Sequence, residues 1–328
     1  MGDIQIKNRV VGVDISIECT TYAIVDVRGN IIAEGEFKTE DYPNISDYVA
    51  KLTDSILVLV EANGGYETIR SIGISAPSAS SVTGCIVNAP NLPWKGVVPL
   101  AAMVRDRLGL AVAVDNDAHI SALGEKAYGS AHGMKDFIVI NIGVGLGSCF
   151  FSANHEHQGS GGFAGEIGHT CIDDSDSARV CACGKRGCLE AYCAAKGILR
   201  TAEEVMAESD KPSLMRGHDH LSPRIIAEFC NQGDELSIEV YRRTGYKLGI
   251  GMANYASIID PEAIILAGGI SKAGKWLAEP AFESFDRHVF GNIRGNVKLI
   301  VSQIDNRERD VLGASALAWT VKEYSLFK

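Results

Sequence analysis

The chemistry of this chain concentrates in one stretch, where Glu166 and His169 precede Cys181, Cys183 and Cys188, and Glu190 follows two residues later. Three thiols spaced two and then five apart, with Gly184 and Gly187 between them, can turn back on a single point. A fourth donor would complete the tetrahedron that structural zinc prefers, and His169 is the obvious one. The ordinary alternatives are a disulfide or three buried thiols, but a Cys-x-Cys pair is too close for an easy intramolecular bridge. We therefore expect a structural zinc on His169, Cys181, Cys183 and Cys188. The second ring nitrogen of a zinc-bound histidine usually donates to an oxygen. Glu166 and Glu190 flank the knuckle, although on spacing alone both read equally well as solvated residues.

Glu-Ile-Gly-His followed by Cys-x-Cys-Gly-x-x-Gly-Cys-Leu-Glu resembles the signature of the ROK family of bacterial sugar kinases and sugar-responsive repressors. The resemblance extends over almost the whole chain. It implies that His169 both ligates zinc and touches a sugar, and that Glu166 and Glu190 bind sugar hydroxyls. It also implies an α/β chain of two domains with the actin-like, ribonuclease-H-like ATPase fold, a ligand cleft between them, and a last helix that crosses back to the first domain. Residues 1–117, completed by a helix at about 305–328, would form one domain and 118–304 the other, with the knuckle. A homodimer is suggested as well.

Asn116 and Asp117 follow a short buried strand directly, so their side chains should emerge at the sheet edge where α/β folds bind ligands. Asp115 or Asn116 is expected to cap the next helix, which leaves Asp117 free. Sugar phosphorylation needs a carboxylate within hydrogen-bond reach of a weakly acidic hydroxyl held in line with the γ-phosphate. Asp117 matches the family's catalytic aspartate and Asn116 its sugar-binding neighbour. Asn91 sits where the family's loop contacts sugar, although by itself it is an ordinary turn asparagine.

The phosphate loops depart from the family pattern. Where relatives read Asp-x-Gly-Gly-Thr-Lys, this chain has Asp14 followed by Ile15, Ser16, Ile17, Glu18 and Cys19. Asp14 could hold magnesium through water. Ile17 adds bulk and Glu18 a like charge toward the place of an anionic phosphate. A usual Gly-Thr-Gly is Gly143-Val144-Gly145, and the adenosine-side turn is Ala267-Gly268-Gly269. With the sugar half complete and the phosphate half altered, two functions are carried. One is an ATP- and magnesium-dependent kinase of a hexose or N-acetylhexosamine. The other is a non-catalytic sugar-binding protein of the family's regulator branch.

Those residues need strands to present them. An antiparallel meander is expected over 10–14, 21–27 and 31–37, then a helix over 44–62, a strand over 71–75, a helix over 97–108 and a strand over 111–114. A second half restarts with a strand over 137–141, a glycine turn, and a returning strand over 148–151, which suggests a duplicated α/β unit. Helices follow over 189–208, 223–231 and 235–259, then a strand over 262–267, a helix over 272–288, a strand over 297–303 and a helix over 309–324. Residues 208–220 show no period and are expected to be mobile.

At 328 residues, with 46% apolar residues, two cores are the prior. A net charge of −10 and the absence of a basic cluster argue against a nucleic-acid partner. The regulator branch carries a DNA-binding segment ahead of its first strand, for which the start at about residue 10 leaves no room. A polar opening and the lack of an apolar run near the roughly 18 residues of a membrane helix point to a cytoplasmic protein. Six further cysteines, at 19, 85, 149, 171, 193 and 230, read as small core residues.

Overall fold

A computed structural model describes residues 7–89, 91–160 and 163–321. The chain forms two compact units, 1–132 with 304–328, and 133–303.

The first unit runs β1 (Arg9–Ile15), β2 (Cys19–Asp26), β3 (Ile31–Lys38), α1 (Ile45–Ala62), β4 (Ile69–Ser75), β5 (Ala79–Ser80), β6 (Cys85–Val87), β7 (Val97–Val98), α2 (Leu100–Leu108), β8 (Ala111–Asp115) and α3 (Asp117–Tyr128). Its main sheet has the order β3-β2-β1-β4-β8. The first three strands pair antiparallel, whereas β1, β4 and β8 run parallel. Burial follows position: β1 and β4 are covered almost throughout, while β3 at the edge alternates with period two. Asn44 caps α1 by accepting the Ser46 amide at 2.8 Å, and Tyr48, Leu52, Ile56 and Val60 then fall on its core side.

The second unit runs β9 (Phe137–Ile142), β10 (Leu146–Ser152), β11 (His155–Glu156), α4 (Glu190–Cys193), α5 (Ala195–Ala207), α6 (Pro223–Asn231), α7 (Glu235–Ile259), β12 (Ala263–Ala267), α8 (Lys275–His288) and β13 (Lys298–Val301). Its sheet order is β11-β10-β9-β12-β13. Here too an antiparallel hairpin, β9 with β10, is continued by parallel strands. The expected duplication is therefore visible in the pairing of both sheets.

The chain ends in α9 (Asn306–Thr320), which belongs to the first unit. Glycines let its backbone lie directly on the sheet. A Cβ on Gly73 would stand 1.9 Å from the Ala314 carbonyl oxygen, and one on Gly12 2.3 Å from that of Val311. A Cβ on Gly313 would meet the Ile120 carbonyl of α3 at 2.2 Å. Because α3 is clamped to α9 in this way, the boundary expected after Asp117 moves to His132.

Several expected elements are divided differently. The helix expected over 97–108 begins only at Leu100, because Pro99 holds the preceding residue extended and Val97–Val98 pairs with β6. The helix expected over 189–208 breaks at Ala194, which is extended, and the Ala195 amide turns to the Gly143 carbonyl at 3.0 Å. The helix expected over 272–288 starts at Lys275, after Gly274 at φ +60°. The stretch 208–220, expected to be mobile, is tied down: Met215 is buried, and Asp234 accepts from the Ser213 hydroxyl at 3.0 Å and from the Leu214 amide at 2.5 Å. The expected end of the last helix, 322–324, lies outside the described residues. Cys149, Cys193 and Cys230 are buried as expected and Cys19 and Cys85 are partly so, but Cys171 is exposed, facing Cys188 across an isolated bridge.

Candidate active site and metal centre

In the second unit, His169 Nδ1 and the sulfurs of Cys181, Cys183 and Cys188 converge, with their donor atoms all within 4.8 Å of one another. Cys183 Sγ lies 3.7 Å from Cys188 Sγ, and Cys181 Sγ 3.7 Å from His169 Nδ1. Tetrahedral zinc at a Zn–S distance of about 2.3 Å would set two sulfurs about 3.8 Å apart, so the donor set fits that ion. The loop is shaped for convergence. Gly187 at φ +75° sits where a Cβ would be 1.8 Å from the Asp173 carbonyl, and Lys185 Nζ donates to the His169 carbonyl at 2.8 Å. Burial, followed by hydrogen bonding to Cys183, pushes the Cys188 thiol up to about 12, a cost that a bound cation would offset.

The remaining histidine nitrogen, Nε2, faces Glu166 at 4.0 Å. Glu190, the first residue of α4, accepts the Leu146 amide at 3.0 Å through Oε2, and the Cys181 thiol donates to its Oε1 at 3.6 Å. The structure thus brings Glu166, His169, Glu190 and the thiols into one cluster beside the glycine turn 143–145. Gly145 leaves room for this, since a Cβ there would press on Glu190 Oε2 at 3.0 Å. In the same unit Gly268 follows β12 at φ +90°, where a Cβ would strike the Ile142 carbonyl at 2.3 Å, so that turn requires glycine. Gly143 and Gly269 have open space at their Cβ positions, and Val144 is exposed.

In the first unit, Asp14 near the end of β1 lies across the ladder from Ser75 of β4. Asn116 caps α3, its Oδ1 accepting the His119 amide at 3.0 Å, and Asp115 accepts the Asn116 amide at 2.8 Å. Asp117 is thereby free of capping, its Oδ1 accepting the amide of its neighbour Ala118 at 2.9 Å. Asn91 is exposed in the loop between β6 and β7.

Two residues that the sequence reading passed over stand beside the aspartates. Asp310 and Arg309, near the start of α9, act on both Asp14 and Asp117 with opposite signs. Burial, then the Asp310 carboxylate, pushes Asp14 up to about 7, while the Ser75 hydroxyl and Arg309 oppose the rise. Asp117 is held above the usual carboxylate range by the same two causes in the same order. Its side chain opens to solvent, which limits that rise. The only signal for this pair was a charged dipeptide at the start of a terminal helix.

The altered loop between β1 and β2 is a tight turn without glycine. The Ser16 amide and hydroxyl both donate to the Cys19 carbonyl, at 3.0 and 2.8 Å, and the Cys19 amide donates to Ser16 Oγ at 3.1 Å. Ile17 and Glu18 project into solvent.

Two sheets, each opening with a hairpin and continuing parallel, with a last helix returned to the first, define an actin-like ATPase fold of the kind found in sugar kinases. The chain belongs to the ROK family, whose sequence profile matches residues 10–321. It is 31% identical over 322 residues to a glucokinase of Halalkalibacterium halodurans, covering 95% of this chain and 94% of that one. It is 30% identical over 318 residues to a xylose repressor of Caldicellulosiruptor bescii, covering 94% of this chain and 77% of the repressor. Among solved structures, a ROK family glucokinase from Streptomyces griseus in complex with glucose and AMPPNP matches with a TM-score of 0.76 and 29% identity, over 95% of this chain and all of that one. No helix among the described residues is long and apolar enough to cross a membrane.

Proposed function

We propose that the chain is an ATP-dependent kinase of a hexose or N-acetylhexosamine, with Asp117 as the general base that takes the proton of the acceptor hydroxyl. The observation that carries this reading is the placement of Asp117: at the carboxyl end of β8, released from helix capping by Asn116, and held above the usual carboxylate range by burial and then Asp310. Asn91, Asn116, Glu166, His169 and Glu190 are assigned to sugar hydroxyls. Asp14 is assigned to the magnesium that accompanies ATP, and Gly143, Gly145, Gly268 and Gly269 to the nucleotide, where missing side chains allow backbone amides to approach phosphate. Zinc on His169, Cys181, Cys183 and Cys188 would be structural, since four protein donors leave no open position. A homodimer in the cytoplasm is the assembly we assign to it. The similarity to glucokinases supports the substrate class.

A second reading is favoured by one observation. The glycine-free turn at Ser16, with Glu18 exposed on it, suits a protein that binds sugar and has lost phosphate binding, as the likeness to a xylose repressor also allows. A coupled ADP-release assay with ATP and magnesium over glucose, N-acetylglucosamine, N-acetylmannosamine, fructose and allose separates the two. Release with at least one sugar is expected. Release with none, where the same sugars raise the melting temperature, would select the second reading.

A further inference from the structure

A cavity of about 600 Å³ opens in the second unit between α5, α7 and the segment leading into the cysteine knuckle. None of the residues assigned above to sugar, nucleotide or zinc lines it. In a chain of net charge −10, its wall carries five cations, Arg179, Arg200, Arg242, Arg243 and Lys247, against two carboxylates, Asp173 and Glu204. Glu208 and Glu239 stand behind Arg242 and Arg243 as their partners, and even with these four carboxylates counted the cations remain in excess. A cleft with an excess of one sign and protein walls concentrates the opposite charge.

Arg179 and Arg243 are held by carbonyls and carboxylates, whereas Arg200, Arg242 and Lys247 keep donors unused. Arg200 donates through Nε alone, to Glu204 at 3.1 Å, and Arg242 through Nε and Nη2, to Glu239. Lys247 makes one bond, to Asp173 at 3.2 Å. A guanidinium has five N–H donors and an ammonium three, so donors remain for a ligand. Guanidinium and ammonium donors converging on one cavity suit the several oxygens of a phosphate better than the two of a single carboxylate. Tyr192 and Tyr246 add aromatic wall, with the Tyr192 ring 4.7 Å from Arg179 and 4.8 Å from Lys247. The volume is that of a small-molecule site.

We propose that this cavity binds a phosphate monoester carried on a ring compound, as in a hexose phosphate or a nucleoside monophosphate, and that its occupancy is felt at the knuckle. The connection is short. The Gly187 amide donates to the Arg179 carbonyl at 2.9 Å, the Arg179 amide donates to the Tyr192 hydroxyl at 3.1 Å, and the Asp173 carbonyl fills the space beside Gly187. Binding to the cavity stands independently of the kinase reading, whereas an effect on sugar affinity rests on it.

The test is isothermal titration of the full chain with glucose 6-phosphate, AMP and inorganic phosphate at physiological salt. One of the two esters is expected to bind once per chain, and the one that does identifies the source. Inorganic phosphate should bind at least about tenfold more weakly, and an Arg200→Gln/Arg242→Gln double variant should weaken the ester at least about tenfold with unchanged melting and glucose binding. No binding by either ester, equal binding of inorganic phosphate, or a double variant that binds the ester as tightly as wild type would overturn the proposal. If the ester binds as expected and saturating ester shifts the glucose affinity, the coupling stands. If the ester binds and glucose affinity does not move, the coupling is wrong, and if no hexose binds at all, the kinase reading fails while the cavity remains.

Discussion

Glu190 joins the glycine turn to the cysteine knuckle: one carboxylate oxygen accepts the Leu146 amide at 3.0 Å, and the other lies 3.6 Å from the Cys181 sulfur. A carboxylate held by the Leu146 amide is pre-organised for a polyol in a way that a solvated glutamate is not. Glu190→Ala is expected to leave the Leu146 amide without its partner and to raise the sugar Kd about tenfold or more. Glu190→Gln, which keeps one acceptor, should lose less. Titration of both variants checks this, and equal affinities in wild type and Glu190→Ala would remove Glu190 from the sugar site.

Elemental analysis of the purified protein is expected to find one zinc per chain. Because binding a structural metal is part of folding free energy, Cys183→Ser should lower the Tm by roughly 5–15 °C and weaken sugar binding through His169. Purified protein without zinc, or a variant with unchanged melting and unchanged sugar affinity, would count against the assignment of the four donors.

Asp14 supplies a pH dependence with a definite sign. Its carboxyl sits at about 7 in the folded chain against an ordinary 3.8. A raised folded value favours folding fully below about pH 4, and that advantage is lost as pH rises to about 7. Asp14→Asn should therefore melt about 2–4 °C higher than wild type at pH 8 without ligand, and the two should converge near pH 4. The same variant should lose nucleotide-dependent turnover, so the gain in stability accompanies a loss of function. Identical pH profiles of Tm would show that Asp14 is not held out of its usual range.

Much of the site was legible because its parts are local. The knuckle lies within a single stretch, and the Asp115–Asn116–Asp117 run declares both a cap and a free carboxylate. The hairpin openings of both sheets were equally plain, since β-branched runs flank polar or glycine turns. What escaped depends on tertiary placement. Arg309 and Asp310 reach Asp14 and Asp117 only because Gly12, Gly73 and Gly313 let α9 lie on the sheet and α3. The break at Ala194 comes from a hydrogen bond to Gly143, far away in sequence. Asp234 anchors the 208–220 segment by accepting bonds from Ser213 and Leu214 while capping α7, a double role that no local pattern announces.

The turn at Ser16 is expected to limit the affinity for ATP. Ile17 and Glu18 stand exposed where the pattern that the stretch resembles, Asp-x-Gly-Gly-Thr-Lys, would have glycine and threonine, and a carboxylate within about 4 Å of a phosphate charge costs several kcal/mol at an effective dielectric near 20. Ile17→Gly combined with Glu18→Thr should lower the KM for ATP about tenfold or more and raise kcat/KM, with sugar affinity unchanged. A double variant with the KM of wild type would show that this turn does not face the nucleotide.

The central claim concerns Asp117 and is tested most directly by measuring ATP-dependent turnover and sugar binding together in wild type and Asp117→Asn. Wild type should phosphorylate at least one hexose, and the variant should lose about 10²–10⁴-fold in kcat while its sugar Kd stays within about threefold. A wild type that binds hexose without releasing ADP, or an Asp117→Asn variant that turns over as fast as wild type, would contradict it.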